Sequence, residues 1–152
     1  MTRTELWLFL EARAIEVRDN CARQWRMASD DTRRLETHLQ RLRALYMEYG
    51  QRQRATQSGE HRVHQTTSLR HTLVQLLSLQ ERVQQQLAAA QVHEAQCRQL
   101  LDRAEAEVLK ARTVSESARA DARKAEERAL QRQMDAASVQ RHWLARLGQG
   151  EA

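Results

Sequence analysis

Apolar residues recur along this chain with a strict 4-3 spacing. From Leu69 to Trp143 the stripe reads Leu69, Leu73, Leu76, Val83, Leu87, Ala90, Cys97, Leu101, Ala104, Val108, Ala111, Ala118, Ala122, Ala125, Ala129, Ala136, Val139 and Trp143. Gln80, Glu94, Ser115 and Arg132 interrupt it without breaking its phase. A second stripe precedes it: Trp7, Ala14, Cys21, Trp25, Ala28, Leu35, Leu39, Leu42, Tyr46 and Tyr49, with Glu11, Arg18, Thr32 and Gln53 as its polar members. A period of 3.5 residues held this long predicts coiled-coil helices, because only a slightly under-wound helix keeps such a seam facing one partner.

Between the stripes, Ala55-Thr56-Gln57-Ser58-Gly59-Glu60 is the one interior stretch with turn chemistry. The fold expected is all-α: an antiparallel coiled-coil hairpin spanning residues 1–152, with helix one over about 3–55, a turn at about 56–61 and helix two over about 62–147. Thr2 and Glu5 form a capping box at the start of helix one. Gly148 is the expected stop of helix two. At 1.5 Å per residue the arms are roughly 80 and 125 Å long.

A fold-back centred on Gly59 pairs Tyr49 with Leu69, Leu42 with Leu76, Leu35 with Val83, Ala28 with Ala90, Cys21 with Cys97, Ala14 with Ala104 and Trp7 with Ala111. Mild oxidation is then expected to link Cys21 to Cys97 within one chain. In this register helix one runs out near residue 115, so Ser115 to Leu147 form an overhang without an intramolecular partner. Its stripe is almost all alanine until Val139 and Trp143.

Composition narrows the class. There is no proline, only 4 glycines, 4% aromatic and 30% charged residues. Few side chains can fill a wide core, which favours long helices with narrow seams. The net charge is +5, but both signs are interspersed along the chain. That pattern reads as a solvated, salt-bridged helix surface, not as a nucleic-acid-binding arm. No apolar run approaches the ~18 residues of a membrane span. The patch Leu6-Trp7-Leu8-Phe9-Leu10 is short for a signal segment and lacks a cleavage site. A cytoplasmic protein is expected, and its two cysteines do not suggest a disulfide framework.

Chemistry-bearing constellations are sparse. His61 and His64 lie one helical turn apart, but no carboxylate or cysteine completes a metal shell there. His93 and Cys97 share a face, with Cys97 in the seam. Asp30-Asp31 and Glu126-Glu127 sit on helical surface. No phosphate loop, nucleophile elbow or zinc-finger spacing is present. The expectation is a protein that is not an enzyme and takes no metal or cofactor. Trp7, Trp25 and Trp143 all fall on the seam. Trp25 reads as core, and Trp143, alone on the overhang, as an anchor for a partner.

Three stretches carry a family resemblance. They are His38-Leu39-Gln40-Arg41-Leu42-Arg43-Ala44-Leu45-Tyr46-Met47-Glu48-Tyr49; Leu69 through Leu87, ending in Val83-Gln84-Gln85-Gln86-Leu87; and Gln133-Met134-Asp135 followed by Gln140-Arg141. The pattern resembles the FliJ/YscO family, the central-stalk proteins of type III secretion ATPases. The resemblance implies a largely monomeric stalk, peripheral to a membrane-embedded export machinery. Its open end and overhang would enter a hexameric ATPase ring through Trp7, Arg123, Ala129, Met134, Asp135, Val139 and Trp143. The early part of helix two would meet the cytoplasmic domain of the export gate through Thr72, Leu76, Leu79 and Val83, of which only Leu76 matches the family's pattern. The family also handles export chaperones. No nucleic acid and no direct membrane insertion are implied. Two other readings stay open on the residues alone: a coiled-coil scaffold or homodimeric tether with no ATPase, and a basic helical nucleic-acid binder.

Overall fold

The structure is a computed structural model that describes residues 2–57 and 63–150. Two helices make up the fold, α1 (Arg3–Gln57, 55 residues) and α2 (Val63–Gly150, 88 residues). They pack antiparallel as a helical hairpin, and α2 overhangs α1. Of the turn expected at about 56–61, Thr56 and Gln57 instead close α1, while Gly59 and the rest of it lie outside the described residues, as do the side chains of His61 and His64.

The helices form for local reasons. Alanine, leucine, arginine and glutamine dominate, and none of these opposes a helical backbone. At the start of α1 the capping box closes: Glu5 N–H donates to Thr2 Oγ1 at 3.2 Å, and Thr2 N–H donates to Glu5 Oε2 at 3.0 Å. Threonines inside the helices return their hydroxyls to carbonyls one turn back, as Thr37 does to Arg33 O and Thr113 to Leu109 O. Ion pairs at i, i+3 or i, i+4 join Arg34 to Asp31, Arg52 to Glu48 and Arg98 to Asp102 on solvated faces. Each contributes only about 0.3–0.5 kcal/mol.

Two compact units divide the contacts, residues 18–104 and residues 1–17 with 105–152. In the first, Leu39, Leu42, Leu76 and Val83 form a buried cluster, with Leu35, Tyr46, Tyr49 and Leu87 packed on it. Gln80 Nε2 donates to the carbonyl of Leu42 at 3.4 Å, and the Arg98 guanidinium lies 5.1 Å over the Trp25 ring. In the second unit Val108 and Ser115 are the most deeply buried side chains, at 2% and 1% exposure. Glu11 reaches Arg112 at 3.7 Å and Arg119 at 3.9 Å.

These contacts correct the register. Leu42 lies against Gln80, four residues beyond the Leu76 that a fold-back at Gly59 assigns to it. The reason lies in the gaps of the stripe. On α1 the seam climbs from Trp7 by steps of 4, 3, 4, 3; on α2 it descends from Ser115 by the same steps to Ala111, Val108, Ala104 and Leu101. One register therefore matches every layer, whereas the expected one sets each four-residue gap against a three-residue gap. Away from the leucine-rich layers this register also pairs large with small. Trp25 comes opposite Cys97 and Arg18 opposite Ala104; in the other unit, Trp7 comes opposite Ser115 and Glu11 opposite Ala111. An alanine opposite a long polar side chain lets its charged head leave the seam.

Three further expectations change. Cys21 and Cys97 sit one turn apart along the seam, both as free thiols. Ser115 belongs to the paired seam, and α2 becomes bare of partners only from about residue 123, because the shifted register carries α1 further along it. Gly148 does not stop α2, which continues to Gly150. A glycine terminates a helix by taking a left-handed backbone, and no described glycine has a positive φ.

Candidate partner-binding surface

Residues 1–17 and 105–150 hold the surface that the seam leaves open. Up to Ala122 the seam residues of α2 are buried or half-buried; Ala125, Ala129, Ala136, Val139 and Trp143 are exposed. The stripe continues in phase past the point where its partner ends. Val139 is 56% and Trp143 59% exposed, so the largest side chains of this stretch lie in solvent.

A groove of about 520 Å³ marks the transition. It is lined by Arg3 and Trp7 of α1 and by Val114, Ala118, Ala122 and Ala125 of α2, among others. Its lining sets one tryptophan among several alanines. Beside it, Arg123 shares a shallower depression with Thr4, Glu116, Arg119 and Glu126. Positive and negative side chains alternate there, which suits weak, reversible contact more than tight anchoring.

The seven residues expected to meet a ring do not form one face. Ala129, Val139 and Trp143 continue the seam, with Trp7 at its paired end. Met134 lies nine residues before Trp143, about half a turn around the helix, and is 59% exposed on the opposite side. Asp135 accepts a hydrogen bond from Gln131 Nε2 at 3.1 Å. The four positions expected to meet an export gate also diverge. Leu76 and Val83 are 8% and 5% exposed and belong to the hairpin core. Leu79 is 43% exposed, and Thr72, half-buried, turns its hydroxyl to Ser68 O. Two of the four are therefore committed to α1.

Exposed apolar residues outside the 4-3 phase were missed by the sequence reading. Leu130, Leu144 and Leu147 are 58%, 69% and 63% exposed, and Phe9 at the start of α1 is 55% exposed. The signal for them was available: they are the large apolar side chains that the seam does not absorb. With Met134, Leu130 and Leu144 form a second strip along the end of α2.

Among the described residues no group of three histidines, cysteines or carboxylates could hold a metal ion. His93 Nε2 lies 3.7 Å from Cys97 Sγ, with that sulfur inside the seam. No helix is long and apolar enough to cross a membrane. What the arrangement offers is an apolar seam, a Trp-lined groove and a mixed-charge rim. Comparison of the chain with family models, with curated proteins and with solved structures finds no match.

Proposed function

We propose that this protein is a non-enzymatic central stalk of a type III export apparatus, whose overhanging α2 enters the ring of a hexameric ATPase. The observation that carries the reading is the in-phase continuation of the seam beyond α1, ending in exposed Val139 and Trp143. A single helix bearing one apolar seam presents different faces to the subunits around it. A six-fold ring meets such a stalk unequally, so ATP turnover can be coupled to ring assembly or to rotation. The mixed charges around Arg123 favour contacts that break and re-form. The resemblance of residues 38–49, 69–87 and 133–141 to the FliJ/YscO family supports the choice of partner. It also suggests contact with the export gate and with export chaperones; of the gate positions, Leu79 and Thr72 are the ones with side chains left to offer.

The test is the ATPase rate of a hexameric type III secretion ATPase from the same cell, measured with and without this chain. The full chain is expected to stimulate turnover, and a chain lacking residues 126–152 is not. Equal stimulation by both would remove the overhang from the mechanism, and no stimulation by either would sink the stalk reading.

A further inference from the structure

The bare seam of α2 is complementary to itself. We propose that the free protein pairs as an antiparallel homodimer, the overhang of each copy continuing the line of α1 along the other copy's α2.

The argument starts from the interface already present in the chain. There, α1 covers the α2 seam in one register, with each four-residue gap against a four-residue gap. Its layers set tryptophan on a small residue and arginine on alanine: Trp25 on Cys97, Arg18 on Ala104. The same rule applied to two overhangs running antiparallel gives one solution. Trp143 of each copy packs on Ala125 of the other, Val139 on Ala129, and Arg132 on Ala136. The two-fold axis then passes near residue 134. Each bulky or charged member meets an alanine, as Arg18 and Glu11 do in the intramolecular seam.

Other arrangements fail on the residues present. Parallel pairing stacks Arg132 on Arg132 and Trp143 on Trp143 in the seam. Shifting the antiparallel pair by a heptad one way sets Trp143 on Arg132 and leaves Ala125 bare. Shifting it the other way drives Trp143 towards Ala118, a seam position that α1 already covers, where Arg3 and Trp7 line the groove. In the favoured register the second copy's Leu147 comes level with Asp121, two residues short of Arg119, where α1 begins at Arg3, so only its Gly148–Gly150 end meets the start of α1. The second copy takes up the seam where α1 leaves it.

Charge fits the same arrangement. Arg132, at the seam, comes within reach of the second copy's Asp135 on both sides of the axis. The buried groups are few, chiefly two tryptophans, two valines and flanking alanines. An interface of that size makes a dimer that forms and separates readily, not a permanent one. The pairing departs from the monomer that the family resemblance implies. It does not rest on the ATPase reading, although the two uses of the seam exclude each other: a paired overhang cannot enter a ring until the copies part.

Light scattering on the full chain alone tests it, over about 5 to 100 µM because mass action governs the dimer. The mass is expected to rise with concentration towards twice 17.7 kDa. A mass that stays at one chain throughout overturns the proposal. Trp143→Ala is expected to weaken association at least tenfold, and adding Ala125→Trp is expected to restore it, since each contact joins position 125 to position 143. A dimer insensitive to Trp143→Ala, or one not restored by the size swap, also overturns it. Orientation is read by a short thiol-to-thiol cross-linker, with the wild-type chain as background. Gln133→Cys lies beside its own mate across the axis and is expected to join two chains. Glu126→Cys lies far from its mate and is not. Cross-linking at both positions would show a parallel pair and defeat the proposal.

Discussion

Cys97 and Cys21 show how much a single register decides. The thiols are one helical turn apart along the seam, an axial offset of about 6 Å before the separation of the two helices is added. A disulfide requires α-carbons within about 7 Å. Mild oxidation is therefore expected to leave both thiols free in the monomeric chain, counted by thiol titration and by intact mass. Leu101→Cys places a thiol opposite Cys21, and that variant is expected to close an intrachain disulfide under the same oxidant. A Cys21–Cys97 bridge in the wild-type chain would restore the register centred on Gly59. The polar seam residues argue against that outcome. In the register centred on Gly59, Glu11 would face Val108 beside Glu107, and Thr32 would face Leu87. In the observed one they face Ala111 and Ala90, and Glu11 gains Arg112 and Arg119. Burying an unpaired carboxylate against valine is costly, so the seam's few polar members reject the slipped pairing.

At the scale of the helices, most of the fold was legible in the 4-3 stripe and in the Thr2–Glu5 box, because both are short-range patterns with one physical solution. The register does not follow from the turn, because a glycine marks where a chain can reverse without fixing the centre of the reversal; the order of gaps in the two stripes fixes it. The extent of the overhang follows the register, so a fold-back centred on Gly59 places the deeply buried Ser115 in solvent. Gly148 misled for a related reason: a glycine permits a helix end without requiring one, and α2 passes through it. Gly50 is passed over in the same way inside α1. Its backbone is helical, and a Cβ built there meets nothing within 4 Å. Gly50→Ala is thus expected to stabilise the chain by about 0.5–1 kcal/mol, through lower entropy of the unfolded state and better helix propensity. Thermal unfolding should show a rise of roughly 1–4 °C. A fall would mean that α1 bends or ends at Gly50. Of the candidate surface, the seam part was legible as periodicity. Leu130 and Leu144 were not, since a search for one stripe discards what lies off it; Phe9 was visible only as part of a short apolar patch.

For the whole chain, the distribution of buried side chains separates what folds the protein from what it presents. The large apolar layers are Leu35, Leu39, Leu42, Tyr46 and Tyr49 against Leu76, Val83 and Leu87. Single truncations to alanine among the buried leucines are worth about 2–5 kcal/mol. From residue 123 to Gly150 no side chain is buried. A helix with no partner is marginal in water whatever its composition, since packing supplies most helical stability. Removing residues 126–152 is therefore expected to leave the denaturant midpoint of the monomer unchanged. The slope of that transition should also hold, because it follows the surface exposed on unfolding and the overhang contributes little. The helical signal in circular dichroism should fall by no more than the share of residues removed. Urea titration at a concentration too low for association separates the outcomes. A lower midpoint would mean that the overhang folds back on the hairpin, and the seam beyond Ala122 would then not be free for a ring or for a second copy. An unchanged midpoint leaves that seam with no role in folding, and its persistence in phase as far as Trp143 is then explained by what binds it.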